Sequence, residues 1–181
     1  MRYEVGGMGV SALADIETQA LALLRTNRLL TAPVDVVSLA RALSIDNVYV
    51  ATFDDEGIAG MIQRHNGIGT IWVNRLDSRS RQRFTVGHEL GHWVLQLAPQ
   101  DVDGAWKDPG SAVAYRTTGV TSSKEREANQ FSAAVLMPAP LVANWRERLA
   151  SPAQLAAIFH VSVDAMQMRL DTIRRLTGSP Y

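Results

Sequence analysis

Apolar positions set the outline of the chain. Leu13, Ile16, Ala20, Leu23 and Leu24 recur at the three- and four-residue spacing of one helix face, which predicts a helix over residues 11–30. Thr31-Ala32-Pro33 interrupts it, and a second helix is expected over 34–43, with Pro33 or Asp35 at its start. The β-branched and aromatic run at 48–52 predicts a strand. Two more are expected at 58–64 and 68–74, with Asn66-Gly67 between them supplying the positive φ values of a tight hairpin. Phe84, Val86, Leu90, Val94 and Leu95 then give helical periodicity within a long helix over 78–97, which Pro99 ends. Residues 98–121 carry Pro, Gly, Asp, Ser and Thr with weak periodicity and are expected to be a long loop, functional or mobile. Further helices are expected over 123–137, 141–149, 152–159 and 164–176, the first stopped by Pro138 and Pro140. The fold class is therefore α+β, with a small, mostly antiparallel sheet and several helices. A boundary near Ala150-Ser151-Pro152 divides a 1–150 domain from a 151–181 segment.

Composition narrows the functional classes. The 181 residues are 46% hydrophobic and 20% charged, enough apolar material for a core. Lys plus Arg and Asp plus Glu are 18 each, so the net charge is zero and the basic excess of a free-standing nucleic-acid binder is missing. There is no cysteine, which excludes disulfides, thiolate zinc sites and cysteine nucleophiles. The opening MRYEVGGMGV lacks the layout of a secretory signal, and no run approaches the roughly 18 apolar residues that span a bilayer. The expectation is a cytoplasmic protein with no membrane attachment.

One motif carries chemistry. Residues 88–92 read His88-Glu89-Leu90-Gly91-His92, inside an expected helix. Positions i and i+4 share a helix face, so both imidazoles can reach one zinc ion. Glu89 follows the first ligand directly, where it can accept the proton of an activated water and pass it to a leaving amine. A lone helical histidine is ordinarily a core or surface residue, but here two of the four histidines fall at ligand spacing with a glutamate between them. Gly91 permits close approach of another element. Oxygen and imidazole donors also accept manganese and other divalent ions.

A third protein ligand is needed, and the segment from Ser122 to Phe131 is the best source. Glu125 and Asn129 are i and i+4. If Asn129 faces the metal helix, Glu125 faces it too, while Glu127 lies about 200° round. Glu125 would complete the ligand set and Asn129 would hold the far nitrogen of a ligand histidine. The competing reading makes Ser122 and Glu125 a capping box, with Glu127 as the alternative ligand.

These stretches resemble the ImmA/IrrE-type metallopeptidases, bacterial proteins of zincin-like fold. The resemblance rests on Arg81 to Gly87 leading into the histidine motif, on Glu125, Ala128, Asn129, Phe131, Ala133 and Ala134 running into Leu136-Met137-Pro138, and on Pro33 to Leu43 followed by a strand. It implies a zinc endopeptidase with ligands His88, His92 and Glu125 and catalytic Glu89. It also implies a helix-turn-helix repressor, encoded nearby, as protein substrate, with repression relieved by its cleavage in a stress response, mobile element or toxin-antitoxin setting. Larger members add a C-terminal sensor-like domain, which is not expected within these 181 residues. The different-class alternative is a DNA- or protein-binding regulator whose metal site is structural or rarely catalytic.

The last two helices resemble a helix-turn-helix. Ser162 suits an N-cap, and His160 stands where the turn usually takes glycine. Arg169, Arg174 and Arg175 are offset by Asp164 and Asp171, so strong DNA binding is not expected and packing or substrate docking is favoured. Tyr115 and Arg116 are candidate oxyanion stabilisers, with solvated loop residues as the plainer account. Trp106 is a core residue or a cover for the cleft. Finally, Ile71, Trp72, Val73 and Asn74 are candidate substrate-binding residues, on the expectation that their strand is a sheet edge to which an extended peptide adds; the flat alternative is that both hairpin strands are paired internally and the edge is covered by the 98–121 loop.

Overall fold

The computed structural model describes residues 8–55, 57–97, 104–106, 123–148 and 151–178. Helix α1 is Val10–Thr26, with Leu13, Ile16, Ala20 and Leu24 buried along the expected stripe. Helix α2 is Val36–Ala42. Its N-cap is Asp35, whose carboxylate accepts from the amides of Val37 and Ser38 at 3.1 and 3.0 Å.

Strand β1 covers Ile45–Ala51, three residues earlier than its β-branched run suggests. Strands β2 (Gly60–His65) and β3 (Ile68–Asn74) form the expected hairpin, with φ of 49° at Asn66 and 77° at Gly67. The expected loop holds a short strand, β4 (Gly104–Trp106), antiparallel to β2. Three residues are too few for any alternation to show in the sequence. The rest of 98–121 lies outside the described residues.

Among the described residues the sheet order is β1-β3-β2-β4. β1 runs parallel to β3, and the other two pairings are antiparallel. β3 is therefore interior. Its backbone groups are used on both sides, which corrects the expectation that Ile71, Trp72, Val73 and Asn74 form an open edge. The hairpin pattern exposes β3's pairing with β2 only; the parallel pairing with β1 is non-local and leaves no signal in the run itself.

Helix α3 is Arg79–His92, and the chain continues as one π-helical turn over Trp93–Leu97 where an unbroken α-helix was expected. Helix α4 is Ser123–Leu136 and α5 is Ala139–Arg146. Helices α6 (Pro152–Phe159) and α7 (Val163–Thr177) form the final pair. The left-handed residue closing α6 is His160, φ 54°, and Ser162 caps α7 through the Ala165 amide at 3.1 Å.

The layers run sheet, α3, α4, α1. One sheet face, including Ile62, Ile71 and Val73, is buried. The sheet and α3 touch closely because glycines sit at the contact. A Cβ at Gly69 would lie 3.1 Å from the Trp93 ring, and one at Gly60 would lie 2.3 Å from the Thr85 methyl. Leu155, Phe159, Met166, Leu170 and Ile173 of the last two helices join the same core as Leu39, Leu90 and Phe131.

Candidate metal centre and active site

Three contacts aim helix α3. Ser78 caps it through the Arg81 amide at 3.3 Å, the Gln82 amide donates to the Asn74 carbonyl at 2.9 Å, and Arg83 donates to the Val34 carbonyl at 2.9 Å. Beyond them every residue from Thr85 to His92 is buried. A helix segment buried all round has no solvent face to hold polar side chains, so His88, Glu89 and His92 must find partners inside the protein.

Helix α4 supplies partners for the two histidines because it approaches unusually closely. A Cβ at Gly87 would stand 2.5 Å from Ser132 Oγ, and one at Gly91 would stand 2.8 Å from Ala128 Cα. Ser132 Oγ donates to the Phe84 carbonyl at 2.8 Å, which fixes the crossing. One turn up α4 from Ala128, the Glu125 carboxylate then reaches both rings. Its oxygens lie 3.2 Å from His88 Nε2 and 3.1 Å from His92 Nε2, and the two Nε2 atoms are 3.0 Å apart.

The far ring nitrogens are also held. His88 Nδ1 lies 2.9 Å from Asn129 Oδ1, and His92 Nδ1 lies 2.7 Å from Gln96 Oε1. An amide oxygen only accepts, so each Nδ1 carries a proton, and in the neutral tautomer that this selects the lone pair of Nε2 turns inward. Three electron-rich atoms thus converge at 3.0–3.2 Å in a buried site. Donors around a tetrahedral ion with bonds of about 2.0–2.1 Å stand roughly 3.3 Å apart, so the spacing and donor chemistry fit a zinc-sized divalent cation.

Glu89 is 3% exposed and shares α3 with the histidines. The first residue of β2 forms the wall beside it, since a Cβ at Gly60 would lie 3.3 Å from Glu89 Oε1. Glu127 is half-buried and outside the cluster of His88, His92 and Glu125. Of the strand residues, Ile71 and Val73 are core side chains, and Trp72 packs near Tyr49 with ring centroids 6.2 Å apart. Asn74 ties its own turn, donating to the Ile58 carbonyl at 2.9 Å and accepting from the Leu76 amide at 3.0 Å. Tyr115, Arg116 and the side chain of Trp106 lie outside the described residues. Gln96 escaped the sequence reading. Its signal was a lone amide four residues after His92 inside an otherwise apolar run, Trp93-Val94-Leu95-Gln96-Leu97.

Comparisons with known proteins bear on this geometry. The peptidase M78 family model, described as the IrrE N-terminal-like domain, matches residues 45–171. The radiation response metalloprotease IrrE of Deinococcus radiodurans is 36% identical over 78 residues, which are 43% of this chain and 22% of that protein. A solved structure titled a Mycobacterium tuberculosis transcriptional regulator superposes with a TM-score of 0.59 at 16% identity, over 87% of this chain and 46% of that one. This likeness is one of fold. The chain thus spans under a quarter of the first protein and under half of the second. With a match that covers most of its length and includes the histidine pair and Glu125, the chain belongs to the IrrE N-terminal-like peptidase family.

Proposed function

We propose that this chain is a zinc-dependent endopeptidase of the bacterial cytoplasm that cleaves a helix-turn-helix repressor and so relieves repression. The observation that carries the catalytic part is the buried convergence of His88, His92 and Glu125 with Glu89 on the same helix. His88, His92 and Glu125 would hold the ion, with Asn129 orienting His88. A zinc ion bound there would supply Lewis acidity, easing loss of a proton from the water that attacks a peptide carbonyl near neutral pH. Glu89 accepts the proton of the attacking water and returns it to the amine that leaves. Burial in the protein keeps the carboxylate in one position for both transfers. A structural site needs no such base and ordinarily has four protein ligands.

The substrate class is supported by the family, by the stress role in the relative's name and by the regulator title of the structural neighbour. That title also favours the second reading, a regulator whose metal site is structural. The charges of the last two helices argue against direct DNA recognition. Arg169 is buried against Glu17, and Arg174 pairs with Asp171 at 3.1 Å. No helix among the described residues is long and apolar enough to cross a membrane.

The test is zinc analysis together with a cleavage assay on a repressor encoded beside the gene. Wild type should carry zinc and cleave. Glu89→Gln should keep the zinc and lose cleavage by about 10² or more. Zinc retention with no cleavage of any candidate repressor by the wild type would favour the structural reading.

A further inference from the structure

We propose that Gln96 is a positioning residue that sets the tautomer of His92 and ties it to the helix carrying Glu125. The inference rests on the metal-site reading above and concerns this chain's own hydrogen bonds. Gln96 is 6% exposed, more buried than its apolar neighbours Val94, Leu95 and Leu97. A buried amide is unfavourable unless both ends are bonded. Here Oε1 meets His92 Nδ1 at 2.7 Å, and Nε2 donates to the Lys124 backbone carbonyl at 3.2 Å.

The orientation follows from the far end. A backbone carbonyl can only accept, so Lys124 must face the amide nitrogen of Gln96. The amide oxygen then faces His92. An oxygen there requires a proton on Nδ1, and a neutral ring protonated at Nδ1 bares Nε2 toward the cluster. One side chain therefore converts a main-chain carbonyl on α4 into a defined lone pair on α3. That carbonyl belongs to the residue before Glu125, so the same amide also fixes the spacing between two of the three ligands. The π-helical turn at Trp93–Leu97 buries Trp93 and Gln96 together. Such turns recur at functional sites.

The test is zinc affinity of the full chain by chelator competition, for wild type, Gln96→Met and Gln96→Glu, with His88→Ala as reference. Methionine keeps the volume and removes the acceptor, whereas glutamate keeps an acceptor for the Nδ1 proton. Gln96→Met should bind zinc about 10- to 100-fold more weakly, and Gln96→Glu, which keeps the acceptor for Nδ1 but loses the bond to the Lys124 carbonyl, should lose clearly less than Gln96→Met. Wild-type affinity in both variants overturns the proposal. Equal loss in both also overturns it, because the acceptor would then be irrelevant. Should Gln96→Met fail to fold, nitrogen-edited NMR of the zinc-loaded wild type decides. A slowly exchanging His92 Nδ1 proton in wild type that stays slow in Gln96→Glu supports a ring held by an acceptor at residue 96, and a rapidly exchanging proton in either protein overturns it. If wild type binds zinc no better than His88→Ala, the metal site itself is absent and both readings fall together.

Discussion

Glu125 shows how a single residue's role is decided by its surroundings. As a capping-box glutamate it would lie on the helix surface. Instead it is 5% exposed, with its two oxygens within 3.2 Å of two imidazoles. Glu127, two residues on, is half-buried on another face. Glu125→Ala is therefore expected to empty the zinc site, while Glu127→Ala leaves zinc content near wild type; metal analysis of the purified variants checks both. The reverse result would mean that the face of α4 was misassigned. Helical phase made this contrast legible, because i and i+4 positions travel together whatever the helix packs against. The Gln96 bond was harder to see, because it depends on a π-helical turn and on a carbonyl from another helix.

Between elements, the contact of α3 with α4 brings the ligands together, and two glycines permit it. Alanine in a helix interior ordinarily gains about 0.5–1 kcal/mol over glycine. At Gly91 the added Cβ would meet backbone of α4, Ala128 Cα at 2.8 Å and its carbonyl oxygen at 3.0 Å, and backbone cannot rotate away. The clash wins. Gly91→Ala is expected to cost about 1–3 kcal/mol in denaturant unfolding, and to weaken zinc binding because α4 carries Glu125. A second element-level prediction concerns α2. The Ser38 amide and then the Ser38 hydroxyl hold the Asp35 carboxyl below its ordinary 3.8. A depressed folded-state value means the cap stabilises fully above about pH 4 and is lost as pH falls through the folded value. Asp35→Ala should therefore lower stability by about 1 kcal/mol at pH 7. In thermal melts that gap should close on acidification toward pH 2.

For the molecule as a whole, Arg169 joins parts distant in sequence. Its guanidinium is fully buried, pairs with both oxygens of Glu17 on α1, and donates through Nε to the Met137 carbonyl after α4 at 2.8 Å. Gln130 on α4 donates to the same Glu17 at 3.0 Å. The last two helices are thereby bonded to the layers that hold the metal ligands. Removing one member of a buried pair strands the other charge, so Glu17→Ala should cost about 3–5 kcal/mol. Replacing both, Glu17→Leu with Arg169→Met, should recover most of that loss. Urea midpoints of the two variants test the claim, and equal destabilisation would refute the stranded-charge account.

What is local could be read from the order of residues alone. Helix and hairpin periodicity, the Asn66-Gly67 turn, the Asp35 and Ser162 caps and the i, i+4 histidines all depend on neighbours within a few residues, and the structure holds them where the pattern placed them. Tertiary structure decided what is non-local. The parallel pairing of β1 with β3 made an interior strand of residues that a hairpin pattern leaves open, and the three-residue β4 exists only as a partner for β2. Arg169 reads as a surface cation until α1 is seen to place Glu17 beside it. Each of these depends on which backbone or charge comes to lie opposite. That is fixed when the chain buries its apolar faces together, and no local window of sequence contains it.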